Sequence, residues 1–464
     1  MINRLLVPIE AKTKIEFICC LVGDPSRINV VKKKYPTLNF VALSKTKKEL
    51  LPEPDYELLA SLESMGIPTI KSMIRGDPYI RHRPERESFG YATLLARSIK
   101  KTLQELQPDV VLASNDMIHS AISLAVAKSL NIPWVAMAFT SVPDNLTSFC
   151  YGLTPDMIVP ISSRQVDDEL RNKAKAIINN VISGEQNVMA YRAPSSFMNW
   201  VKQYGGHGKN LINRITKQSK LGVDLYTAPT LKERAKDIIR RSLNSLALPV
   251  RDMLSAPPIG RYIYFPLHMA PESMIDTWAP FYQDQIAFIR QLSISIPADV
   301  ELVVKLHFSD PYSYSYFELQ RLMRHDHVRI ANPFVESRPF LEGASLVVGI
   351  TGTSNFEAAV RGIPVLIFAD SPYQHFPRTE RAMRPHELYQ QIQRMLDLFP
   401  PSHNEIVDAV SVYMSRYMPG QVNDWSIPLE LVRLDNYADC FLALRDYVKN
   451  RENRENWYNK SPFA

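Results

Sequence analysis

The chain has 464 residues, of which 45% are hydrophobic and 22% charged. This suits a soluble globular protein of two or three domains. No apolar run approaches the roughly 18–20 residues that a membrane-spanning helix needs, and the net charge of +6 comes with no recognised nucleic-acid motif, so neither a spanning helix nor nucleic acid as a partner is expected. Cys19, Cys20, Cys150 and Cys440 lack metal-ligand spacing, and the N-terminus has too short an apolar stretch for a signal peptide, so a cytoplasmic location is expected.

Residues 1–165 alternate strand-like and helix-like segments. Ile15–Val22 and Leu38–Ser44 read as strands, Arg75–Arg86 as an exposed, mobile loop, and Tyr91–Leu106 as a helix. Pro108–Ala113 is a further strand. A turn at Ser114–His119 leads into a helix through Leu130, which Asn131–Pro133 breaks before the strand Trp134–Phe139. Such alternation predicts a parallel sheet with crossover helices. Asp116, in the turn after a buried strand, is either a general base for an acceptor hydroxyl or an N-cap of the next helix. His119, a turn further on, reads as packing or capping.

Across residues 166–258 strand signals nearly vanish, and a helical insertion or linker is expected. Between Lys202 and Arg241 ten Lys/Arg face three Asp/Glu. This run is either a solvated face or a patch for an anionic membrane, glycan or lipid.

Residues 259–400 return to strand–helix alternation: Arg261–Pro266, a helix near Phe281–Leu292, Asp299–Leu306, and His327–Ile330. Then comes Leu346–Ile350, a strand buried on both faces. Thr351, Gly352, Thr353 and Ser354 follow, and Phe356–Arg361 forms a short helix. Gly362 suits a helix C-terminus, and Pro364 forbids its continuation. A helix N-terminus at the carboxyl end of a buried strand attracts phosphate, although Thr353 or Ser354 might equally serve as a plain N-cap. Residues 401–464 read as helices packing across the domain junction. The expected fold is therefore α/β, with two Rossmann-like domains facing across a cleft, a helical insertion and C-terminal helices.

Three loops leave the carboxyl ends of strands in the second domain. The first carries His268 and Glu272, an acid or base and an anchoring group, between prolines. The second carries Lys305 and His307, expected on one face of a strand end, where they would neutralise a diphosphate and assist a leaving group. The third carries Thr351, Gly352, Thr353, Ser354 and Glu357. There Glu357 either binds a ribose hydroxyl or complements the helix dipole.

The segments Phe265–Glu272 with Asp284-Gln285, Lys305-Leu-His307, Gly349–Ala358 and Gly362–Val365 together resemble the bacterial capsule polysaccharide biosynthesis glycosyltransferases, a broad group that includes the capsule Kdo transferases. The resemblance spans about a quarter of the chain, Arg261 to Tyr373. It implies a GT-B fold, a nucleotide-sugar donor in the second domain, a glycan or glycolipid acceptor in the first, and no obligatory metal or other cofactor. It also implies that His307 contacts the donor phosphate, that Thr351, Thr353 and Ser354 form the phosphate turn, and that Glu357 is the helix acid. Phe308 stands where the family often has proline. The expected function is transfer of a sugar to a surface polysaccharide or glycolipid, with peripheral contact to an anionic membrane. The alternatives are a nucleotide-sugar 2-epimerase of the same fold, a polyol-phosphate transferase, and a non-catalytic nucleotide- or glycan-binding subunit of an export complex.

Overall fold

The computed structural model describes residues 6–21, 29, 32–33, 35–43, 51–115, 117–143, 146–154, 156–185, 231–248, 250–269, 272–308, 311–324, 328–420 and 434–460. The chain divides into two compact units. The first holds described residues through 164 and from 415 onward, the second those of 165–185 and 232–414.

In the first unit β1 (Ile18–Leu21) and β2 (Asn39–Ala42) pair in parallel, and so do β3 (Val111–Ala113) and β4 (Trp134–Phe139). The helices Glu85–Leu106 and Met117–Ser129 flank β3 in the chain and present wholly buried faces, including Leu95, Ile99, Ala121, Ile122 and Ala125. The expected all-parallel sheet is not what forms. β5 (Leu146–Cys150) runs antiparallel to β4, because the link 140–145 is too short for the crossover that a parallel partner requires.

The segment Arg75–Arg86 also departs from the expected mobile loop. It begins in the helix Ile70–Gly76, passes through a 3-10 turn at Ile80–His82 and enters the helix at Glu85. Ile80 is fully buried, and the buried Asp77 carboxylate accepts the N–H groups of Tyr79 (2.9 Å) and Ile80 (3.0 Å). Side-chain capping and one apolar anchor order a stretch whose arginines suggested only solvent.

The second unit is one six-stranded sheet, wholly parallel. Its strands are β6 (Tyr262–Pro266), β7 (Glu301–Lys305), β8 (Val328–Ala331), β9 (Leu346–Gly349), β10 (Val365–Ile367) and β11 (Thr379–Arg381). Leu346, Val347 and Val348 have essentially no exposure, as both faces of a parallel sheet are covered. Each such side chain contributes about 1.5–3 kcal/mol by burial. From the stretch expected as an insertion, the helices Asp168–Ser183 and Leu231–Ala247 are described. The first is stitched to this unit by Arg361 Nη2, which donates to Val181 O at 2.7 Å, and by the Arg171–Asp408 pair at 3.1 Å.

The chain then returns to the first unit. A short strand β12 (Met418–Pro419) pairs antiparallel with β5. The helix Leu434–Lys449 adds Tyr437, Phe441 and Leu444 to a core shared with Val135, Met137 and Phe149. Most of the basic run Lys202–Arg241 and all of residues 421–433 lie outside the described residues.

Candidate active site

The strand order of the second sheet is β8-β7-β6-β9-β10-β11. Its first three strands build outward one way from β6 and its last three the other way from β9. The winding therefore reverses between β6 and β9, and the loops leaving the carboxyl ends of these two strands lie where doubly wound sheets bind ligands. Those loops carry His268 and Glu272 after β6, and Thr351 and Gly352 after β9.

His268 is buried, and its Nδ1 lies 3.2 Å from Glu272 Oε2. Its backbone is held on both sides by Gln285: the His268 N–H donates to Gln285 Oε1 (2.8 Å), and Gln285 Nε2 donates to His268 O (3.1 Å). The same Nε2 lies 3.0 Å from Tyr314 Oη. Gln285 is fixed in turn as the first residue of the helix Gln285–Ser293, which Asp284 caps through Ala287 N–H (2.9 Å). The Glu272 N–H donates to Asp276 Oδ2 (3.0 Å), setting the carboxylate's loop. On its other edge the ring meets Gly352. A Cβ there would lie 3.2 Å from Cε1 and 3.4 Å from Nε2, a tight contact that a larger residue would relieve only by moving the ring a few tenths of an ångström.

The helix after β9 runs Thr353–Val360. Its N-cap is Gly352, with no side-chain cap, which differs from the expectation that Thr353 or Ser354 fills that place. Both hydroxyls instead stand half-buried on the first turn. The orphan N–H groups of that turn are left for another acceptor. Three further polar atoms are buried here without a hydrogen-bond partner: Thr351 Oγ1, Asn355 Oδ1 and Asn355 Nδ2. The Asn355 amide fills the space beside Gly349 that any Cβ would need. Buried polar groups are nearly always paired, so these three atoms are exceptions gathered at the start of this helix.

His307 joins the same cluster electrostatically. Burial pushes its imidazole below the ordinary 6.5, and nearby His268 acts in the same direction while Glu272 opposes both. His307 is therefore neutral at physiological pH, a proton acceptor rather than a fixed cation. Phe308, in place of the family's proline, stacks on its ring at 4.8 Å.

Lys305 differs from expectation. Its Nζ donates to the carbonyls of Asn332 (2.7 Å) and Val335 (2.8 Å). The ammonium lies 5.8 Å from the centroid of the Phe340 ring, and burial lowers its pKa to about 8. Its charge is spent on holding the loop after β8. Glu357 is half-buried on the first two turns of its helix; burial raises its carboxyl pKa, against the pull of the Arg361 guanidinium. Asp116 lies outside the described residues. Gln285 and Asn355 lie in segments that carry the resemblance but were given no role there, and Tyr314 was missed altogether.

Among the described residues no three His, Cys, Asp or Glu gather as a metal site. No protein-family model matches the chain, and no curated protein does either. Solved structures are similar to it at low identity. A beta Kdo 2,7 transferase, KpsC from Thermosulfurimonas dismutans, is 10% identical over 91% of this chain and 99% of that one, with a TM-score of 0.37. A UDP-GlcNAc 2-epimerase from Methanocaldococcus jannaschii, in complex with UDP-GlcNAc and UDP, is 14% identical over 85% and 98%, with a TM-score of 0.26. The spinosyn forosaminyltransferase SpnP is 12% identical over 96% of each chain, with a TM-score of 0.24. At these TM-scores none of them fixes a function for this chain.

Proposed function

We propose that the chain is a glycosyltransferase that moves a sugar from a nucleotide-sugar donor to a surface polysaccharide or glycolipid acceptor at the cytoplasmic side of a membrane. One observation carries the proposal. At the switch point of a fully parallel sheet, the buried His268 imidazole, paired with Glu272, lies against Gly352, the uncapped start of a helix beside the unpartnered Thr351 hydroxyl. The donor's phosphates would take the N–H groups of Thr353 and Ser354 together with the Thr351 hydroxyl. A proton on His268 Nδ1 would be donated to Glu272, which would leave Nε2 as the acceptor nitrogen of the ring. His307 would donate a hydrogen bond to the departing phosphate, Glu357 would meet the ribose, and the acceptor's proton would go to the base. Asp116 remains the candidate that deprotonates the acceptor hydroxyl. On this reading N–H groups meet the phosphates and no metal is needed, so EDTA should leave turnover unchanged.

A second function, the 2-epimerase, is favoured by the gathering of Glu272, His268 and His307 within one unit, since epimerisation needs acid and base around a single sugar. The two are separated by incubating the protein with nucleotide sugars, with and without glycan or glycolipid acceptors, and following the products by NMR. Free nucleotide and an extended acceptor, formed only when acceptor is present, support the transferase. A C2 epimer formed without acceptor supports the epimerase. Neither product, across the common donors, contradicts both and favours a binding subunit.

A further inference from the structure

The helix Leu231–Ala247 is built inside out. Its apolar residues Ile238, Ile239, Leu243 and Leu246 are 43%, 60%, 61% and 71% exposed. Its polar residues Glu233, Asp237, Arg241, Asn244 and Ser245 occupy the shielded side. The helix is fastened through that polar side and its flank: Asn244 Nδ2 donates to Tyr312 O (3.0 Å), Arg240 Nη1 donates to Ser313 O (2.7 Å), and Leu248 packs on the core of the second unit. Arg240 and Arg241 also bridge Asp237, both at 2.8 Å. An amphipathic helix on a folded body normally turns its apolar stripe inward. Here Ile239, Leu243 and Leu246, at spacings of four and three, form one continuous outward stripe. Lys232 and Lys236 are exposed beside it, while Arg240 is paired with Asp237, whose side chain is 46% exposed.

A ridge of branched aliphatic side chains flanked by the exposed Lys232 and Lys236 fits one chemistry, the interface of a membrane bearing anionic headgroups. The aliphatic groups enter the acyl boundary and the lysines meet phosphate. We infer that this face of Leu231–Ala247 docks the protein on an anionic lipid surface. Among the described residues no helix is long and apolar enough to cross a membrane, so this is contact in the plane of the interface. The inference stands independently of the site around His268.

The test is co-sedimentation of the full chain with phosphatidylcholine vesicles, with and without phosphatidylglycerol, across a salt series. Wild type should pellet with phosphatidylglycerol vesicles and be released as ionic strength rises. Ile239→Asp/Leu243→Asp should weaken that partitioning about tenfold or more, and so should Lys232→Gln/Lys236→Gln at low salt. Both double variants change exposed residues, so their melting temperatures and nucleotide-induced shifts should match wild type. Wild type that stays in the supernatant overturns the proposal, and so do variants that pellet as well as wild type. A wild-type dimer in analytical ultracentrifugation that Ile239→Asp/Leu243→Asp dissociates would assign the face to a second copy of the chain, and would overturn it too.

Discussion

The imidazole of His268 lies against the backbone of Gly352, close enough that one added methyl would stand 3.2 Å from its Cε1. Two loops more than eighty residues apart thus meet at van der Waals distance, and the backbone on one side is the start of a helix. Gly352 has φ −67°, which any residue can adopt. Gly352→Ala should therefore leave the melting temperature near wild type while displacing the ring by a few tenths of an ångström. Off-rotamer strain of about 1 kcal/mol would be drawn from ligand binding, a roughly fivefold loss in nucleotide affinity by calorimetry.

Thr351→Val tests whether the hydroxyl is kept for a ligand. In the free protein Thr351 Oγ1 is buried and unpartnered, and replacing it with a methyl should stabilise the unliganded fold by about 1 kcal/mol. The same change should remove part of the nucleotide-induced stabilisation. A gain in melting temperature paired with weaker binding is the expected signature of a site residue.

Lys305→Met separates the expected role of this lysine from its observed one. The variant leaves the carbonyls of Asn332 and Val335 without their shared donor, which should cost about 1–3 kcal/mol in thermal or denaturant unfolding. The nucleotide-induced shift should survive. An unchanged melting temperature with the shift abolished would instead return Lys305 to the phosphate.

Acid should weaken the fold partly through His307. Its folded pKa lies below the ordinary 6.5, so the unfolded chain takes up the proton first. The stability tied to the neutral ring is present above 6.5 and is withdrawn as pH falls through the lower folded value. His307→Gln should lose less stability than wild type between neutrality and about pH 5, read as melting temperature against pH.

Much of the second unit was legible in the sequence. The runs at 261–266, 299–306 and 345–350 are short, apolar and bounded by breakers, and the structure has β6, β7 and β9 there. Gly362 takes the positive φ, +74°, expected after a helix end. Long-range geometry was not legible. Nothing local shows that Met418–Pro419 pairs with β5, or which way Lys305 turns at the end of β7. The convergence of His268 on Gly352 depends on β6 and β9 being sheet neighbours, a fact of strand order.

The most direct test of the account is a thermal shift of the full chain with CMP, UDP, GDP and CDP, without added metal, for wild type and His268→Ala. A ligand that binds only the native state must raise its apparent stability. The account predicts that one nucleotide raises the wild-type melting temperature and that His268→Ala, folded, loses most of that rise. No rise with any nucleotide, or an equal rise in the variant, would contradict a nucleotide site at the β6–β9 switch point.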